Sequence, residues 1–199
     1  MKTKNIIIIQ LIFLVVNANT RNYLYSQVSS ENVFLKWASW TILQSLPSLT
    51  FYEDRLGSNS TLRTGLQWQV IPISYTFKPN KYLSNLNFFY IKPVKRFSGC
   101  AELYYEPEYI FGGFKYAPIK SFMFKSGCRA VFPLTEKGEY LSFSIGAGIN
   151  YEKHLSGDTK YSASYELALY SFFGMLGAKF NYNPNSLSKY SFGMYIKYY

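Results

Sequence analysis

Hydrophobic and polar positions alternate with a period of two over four consecutive stretches in the second half of the chain. Leu141, Phe143, Ile145, Ala147, Ile149 and Tyr151 interleave with Ser142, Ser144, Gly146, Gly148, Asn150 and Glu152. Tyr161, Ala163, Tyr165, Leu167 and Leu169 interleave with Ser162, Ser164, Glu166, Ala168 and Tyr170. Leu176, Ala178, Phe180 and Tyr182 do so with Gly177, Lys179, Asn181 and Asn183, and Tyr190 through Tyr199 repeats the pattern. Successive side chains of a strand point to opposite faces, so this period predicts strands with one apolar face each. Turn signals upstream complete a set of eight predicted segments, at 37–52, 64–77, 97–109, 122–132, 141–152, 161–171, 175–183 and 190–199.

Side-chain size decides which face looks inward. The polar face is rich in Gly and Ser, which suits the narrow lumen of a barrel of about eight strands. The other face is broad, aromatic and almost free of charge, as a lipid-facing wall must be. Tyr151, Tyr161, Tyr182, Tyr190 and Tyr198 lie near segment ends, where aromatic girdles meet headgroups. The expected fold is all-β, an antiparallel up-and-down transmembrane β-barrel of about eight strands. A soluble barrel with its apolar face inward alternates in the same way and is the rival architecture.

The N-terminus reads as an export signal. Lys2 and Lys4 precede a stretch from Ile6 to Val16 that is apolar apart from Gln10, and Val16, Asn17 and Ala18 offer a cleavage site. An apolar run of about 11 residues is too short to cross a bilayer as a helix, which needs about 20. The expected organisation is a cleaved signal peptide at 1–18, a periplasmic arm at 19–36 and an outer-membrane barrel at 37–199. If the last strand ends at the periplasm, 53–63, 110–121, 153–160 and 184–189 become extracellular loops, and 133–140 and 172–174 periplasmic turns. The connection from Lys78 to Arg96 is long for the periplasmic side and carries Phe88, Phe89 and Tyr90, so it adds a short strand or lies on the membrane surface.

Composition agrees with strands, since Tyr and Phe supply 20 and 17 of the 199 residues. The net charge of +10 comes without an arginine cluster, zinc-ligand spacing or phosphate-binding glycine loop. Nucleic acid is therefore not an expected partner, and no cofactor or metal is expected. Spread basicity suits an anionic lipid surface. Lys115, Lys120, Lys153, Lys160 and Lys189 fall in or beside the expected extracellular loops, as lipopolysaccharide contacts or as ordinary solvated lysines.

The polar face also carries charges that can be matched. Glu102 and Glu106 lie on one segment, and Lys125 and Arg129 on the next. Opposed residues of an antiparallel hairpin have position numbers of constant sum, and Glu102 with Arg129 and Glu106 with Lys125 both sum to 231. One register then pairs both acids with both bases, which a narrow lumen requires because an unpaired buried charge costs several kcal/mol. Glu166 and Lys179 extend the network. That register sets Cys100 against Val131 and Cys128 against Leu103, on different faces, so two free thiols are expected unless a bulge shifts one of them.

With its export signal, eight strands, charged lumen and aromatic end Tyr195, Ile196, Lys197, Tyr198, Tyr199, the chain resembles small outer-membrane barrels of the OmpA and OmpX type. In style it is similar to outer-membrane proteins of Bacteroidetes. That resemblance is architectural. The expected role comes from the filled lumen, which leaves only loops, rims and the lipid-facing wall to partners, and it is that of a non-catalytic integral protein, structural or accessory to a larger transport, secretion or insertion complex. The rival enzyme reading uses His154 and Ser156 with Glu166, a spacing similar to that of PagL-type lipid A deacylases; His would serve as base, Ser as nucleophile and the acid as orienting group. A narrow channel is the third reading, disfavoured by a lumen full of matched charges.

Overall fold

In a computed structural model the chain divides into two units, Met1–Lys36 and Trp37–Tyr199. The structure describes residues 37, 38, 41, 42, 45–80, 83–89, 96–172 and 175–196. The expected signal peptide and arm lie outside the described residues.

The described chain forms ten strands: β1 (Ser48–Leu56), β2 (Asn59–Gln67), β3 (Val70–Thr76), β4 (Leu86–Phe88), β5 (Cys100–Ile110), β6 (Ile119–Thr135), β7 (Gly138–His154), β8 (Thr159–Ser171), β9 (Leu176–Tyr182) and β10 (Tyr190–Ile196). Every pairing is antiparallel, and β1 meets β10 with Phe51 opposite Phe192, which closes the sheet. Both β2 and β3 pair with β5, Gly65 opposite Ile110 and Val70 opposite Tyr105. They are therefore two halves of one bent strand, interrupted at Trp68 and Gln69 and shifted in register between Val70 and Ile73. Pro72, which has no N–H to give a ladder, sits in that irregularity. Counting the halves as one, the barrel has eight staves in up-and-down order.

Several boundaries differ from the sequence reading. Strand structure in the first predicted segment starts only at Ser48, and the expected loop over 53–63 is a hairpin whose ladder runs from Ser48 opposite Gln67 to Leu56 opposite Asn59. Its two-residue turn uses Gly57 at φ +62°, a left-handed conformation that glycine adopts without strain. Polar outward residues beyond the apolar wall made these strand ends look like loop. The expected turn over 133–140 is likewise mostly strand, with Thr135 opposite Gly138. The segment from Lys78 to Arg96 does add a strand: β4 lies on β3, with Ser74 opposite Asn87.

Burial is inverted relative to a water-soluble barrel. Inside are Glu102, Glu106, Glu108, Lys125, Arg129, Glu166, Lys179, Asn150 and Asn181, all nearly inaccessible. Outside, Ile145, Ile149, Leu167, Leu169 and Met194 are each about half exposed. Outward positions of Ala101–Tyr109, Phe122–Leu134, Leu141–Tyr151, Tyr161–Leu169, Leu176–Tyr182 and Tyr190–Met194 hold no charged residue. The lumen fits these side chains because glycines thin its wall. At Gly148 an added Cβ would stand 2.3 Å from the Ser126 carbonyl oxygen, and at Gly127, directly opposite, 2.7 Å from the Tyr104 hydroxyl.

Gly148→Ala should therefore lower the urea midpoint of refolded protein by the equivalent of about 1–3 kcal/mol. Gly193→Ala, whose Cβ would meet nothing nearer than 3.4 Å, should leave the midpoint within error.

Candidate functional site

The lumen holds a file of buried charges that alternate in sign. Arg96 contacts Glu139 at 2.6 Å and Glu102 at 2.9 Å; Arg129 contacts Glu102 at 2.8 Å and Glu166 at 3.2 Å. Lys179 continues the file, 3.7 Å from Glu166 and 2.6 Å from Glu106. Glu106 ends it, accepting bonds from the amides of Gln67 at 2.5 Å and Gln69 at 2.7 Å. A separate pair, Lys125 and Glu108 at 3.0 Å, lies nearer the end where β5 finishes, and Lys125 also donates to Ser191. Arg129 donates to the Tyr170 hydroxyl and lies over the rings of Tyr104 and Tyr170 at 5.6 and 5.4 Å. Each of these cations thus has a charged partner, and Arg129 aromatic ones besides, as burial demands.

The backbone register sets Glu102 opposite Arg129 and Glu106 opposite Lys125. The ion pairs follow it only in the first case. The ammonium of Lys125 reaches Glu108, two residues along β5, while Glu106 is held by Lys179 from β9. Barrel closure brings β9 across the lumen from β5, a contact that pairing within one hairpin does not contain. Cys100 faces Val131 inside the lumen and Cys128 faces Leu103 on the outer wall, and the two form no disulfide.

A buried cluster stands toward each end of this file. At the end where β5 stops, Tyr52, Ile110, Ala117, Ile119 and Met123 form an apolar cluster, with Phe114 and Leu187 packed on it. The loop over 111–118 is pinned into this cap by buried Asp54, which accepts backbone N–H bonds from Lys115 (2.5 Å), Tyr116 and Ala117 (2.9 Å) and a side-chain bond from Arg63 (3.1 Å). Asp54 stands beyond the apolar wall, flanked by outward Glu53 and Arg55. Burial pushes its carboxyl up, but the N–H groups of Ala117 and Lys115, Arg63 and the N–H of Tyr116 outweigh that and hold it below the usual carboxylate range. Toward the other end Ala168, Tyr170 and Tyr195 form a second buried cluster, the two rings packed edge to face at 5.6 Å. Beside them a cavity lined by Arg96, Glu102, Arg129 and Ser142 has room for about one water.

The three residues of the enzyme reading are not assembled. Ser156 donates to Asp158 at 2.9 Å in the β7–β8 turn. Glu166 lies deep in the lumen, opposite Gly146 and bound to Arg129, whereas His154 ends β7 at the cap. Lys115, Lys153, Lys160 and Lys189 are exposed at the cap end and Lys120 half-buried there, with Lys115 over the Tyr116 ring at 5.1 Å.

Sequence reasoning passed over five residues of the network. Glu108 continues the polar face of Glu102 and Glu106 and was legible by period alone. Arg96 and Glu139 fall in connections between predicted segments, where no period marks them. Gln67 and Gln69 flank the bend between β2 and β3, where alternation is lost. Comparison of the chain with protein-family models, curated protein sequences and solved structures finds no match.

Replacing Lys179 by Met should leave Glu106 and Glu166 short of a cation and cost about 3–5 kcal/mol in urea unfolding. Adding Glu106→Gln to that variant should restore part of the loss. At the cap, the stabilisation from Asp54 is complete above its unfolded pKa and is lost as pH falls through the lower folded value. Asp54→Asn should therefore accelerate amide exchange at Lys115, Tyr116 and Ala117 by about 10- to 100-fold at neutral pH, the effect of about 1–3 kcal/mol in lost charged bonds. The wild-type loop should match the variant only in acid below the ordinary carboxylate range.

Proposed function

We propose that this protein is an integral β-barrel of a Gram-negative outer membrane, exported by a cleaved signal peptide, and that it catalyses no reaction. Its role is structural, or that of an accessory subunit in a larger outer-membrane transport, secretion or protein-insertion complex. The observation that carries this reading is the inverted burial: charged residues fill the interior, while a charge-free wall of Leu, Ile, Phe and Tyr faces outward. In water such a wall would expose far more contiguous apolar surface than the few hundred Å² that soluble monomers tolerate. In hydrocarbon it is the expected solvent contact, and pairing of β1 with β10 joins the two ends of the strand order.

The remaining details fit that setting. Aromatic pairs lie at strand ends, Tyr151 with Tyr161 and Tyr182 with Tyr190 toward the cap, Phe77 with Phe132 and Tyr140 with Phe172 at the other end. Amphipathic rings at both levels suit the two headgroup layers. With the cap outermost, Lys115, Lys120, Lys153, Lys160 and Lys189 stand where lipopolysaccharide phosphates lie. A lumen filled by buried ion pairs leaves the loops, the rims and the lipid-facing wall as surfaces for partners, which is why interaction rather than transport is the reading.

Membranes from cells making the full chain should keep it after alkaline carbonate washing and release it only with detergent. The purified barrel should give no unitary conductance steps in planar bilayers. Release without detergent would overturn the membrane assignment, and regular conductance steps would overturn the filled-lumen role.

A further inference from the structure

The lumen contains more acid than base. Among the described residues six glutamates are buried (Glu102, Glu106, Glu108, Glu139, Glu152 and Glu166), against four buried bases (Arg96, Lys125, Arg129 and Lys179). Five of the six glutamates contact a buried base within 4 Å. Glu152 does not. It is fully buried near the cap end of β7, and its Oε1 takes both of its hydrogen bonds, from the Asn150 amide at 2.7 Å and from the Ser186 hydroxyl. Its Oε2 has no hydrogen-bond partner.

Neighbouring cations form no ion pair with it. Lys160 stands directly opposite Glu152 in the β7–β8 ladder, yet it is exposed to solvent and forms no ion pair with it. Lys125 belongs to Glu108 and Ser191. His154, two positions along β7, is half-buried and makes no side-chain bond to the carboxylate. An isolated carboxylate in such a place costs several kcal/mol unless a cation or a proton joins it.

The surroundings favour a cation. Asn150 Oδ1, Ser162 Oγ, Asn183 Oδ1 and Ser188 Oγ are buried oxygens without hydrogen-bond partners. Ser162 faces Asn150 across the ladder, and Asn183 and Ser188 are tied to Ser186, and through it to Glu152, by short-range bonds of the loop over 183–189. One carboxylate with several neutral oxygens is a donor set for a hard cation, because such ions take oxygen ligands in preference to nitrogen or sulfur. A single carboxylate without an ion pair, with the Lys125 ammonium in the same part of the lumen, matches a charge of one rather than two. We infer that the cap-end lumen binds one monovalent alkali cation, sodium in the first instance, on Glu152 with oxygens of Asn150, Ser162 and the 183–189 loop. The ion completes the charge balance of this compartment and ties the loop over 183–189 to β7 and β8.

The test uses the folded full chain in a nonionic detergent at pH 7.5, with thermal unfolding followed by the gel-mobility shift between folded and unfolded barrel. Sodium chloride is exchanged for choline chloride at constant ionic strength. Wild-type protein should unfold at a higher temperature in sodium, and above the dissociation constant each tenfold rise in sodium should lower the unfolded-to-folded ratio about tenfold. Glu152→Gln should unfold at one temperature in both salts. Ser162→Ala, which keeps the charge, should shift the sodium response to concentrations at least about threefold higher, and it carries the test if Glu152→Gln does not fold. Equal wild-type unfolding in sodium and choline would overturn the inference, because a proton or a water then serves Glu152. A sodium response that survives in Glu152→Gln or is unmoved in Ser162→Ala would overturn it as well, since the ion then binds elsewhere. None of these outcomes bears on whether the barrel resides in a membrane.

Discussion

Compensation of charge inside a narrow closed barrel is the constraint on which the rest of this structure depends. Glu139, Arg96, Glu102, Arg129, Glu166, Lys179 and Glu106 alternate in sign, and each successive pair lies within 4 Å. Removing one member strands its neighbours in a medium that solvates them poorly, so the file behaves as a unit rather than as a set of independent bridges. The partners come from β5, β6, β7, β8, β9 and the segment before β5. Only a sheet already closed brings them together. The charges thus reward closure in the correct register and penalise a slip, which would turn the acids and bases outward.

The wall and the lumen solve complementary problems with the same alternation. Gly127 and Gly146 give room inside for the Tyr104 hydroxyl and the Arg129 stem, and Gly148 for the close approach of the Ser126 backbone, while Cys128, Ala147 and Ile149 between and beside them face outward. The cap is built differently. Asp54 is a buried carboxylate satisfied mainly by backbone N–H groups of the loop it holds, so the lid over the lumen depends on one side chain of β1 rather than on packing alone.

A good deal of this was legible beforehand, and the reason is the periodicity of the strand. Alternation from Leu141 to Tyr182 marks strands because nothing else puts every second residue on one face. The pairing of Glu102 with Arg129 follows from requiring one register to neutralise two charges. The same reasoning misplaced the contact of Lys125, because long side chains cross the lumen diagonally and a hairpin taken alone has no opposite wall. Strand ends with polar residues on both faces, such as Glu53 to Arg63, lose their periodic signal and look like loops.

The sequence by itself determined the class of fold, the inward and outward faces and the register of the β5–β6 hairpin, because these rest on local alternation and on charge matching between adjacent strands. Tertiary structure alone decided which base serves which acid, that β2 and β3 are one bent stave, that Asp54 holds the loop over 111–118, and that Glu152 is left without a base. Those facts depend on contacts across a closed lumen between residues far apart in the chain, and no period along the sequence encodes them.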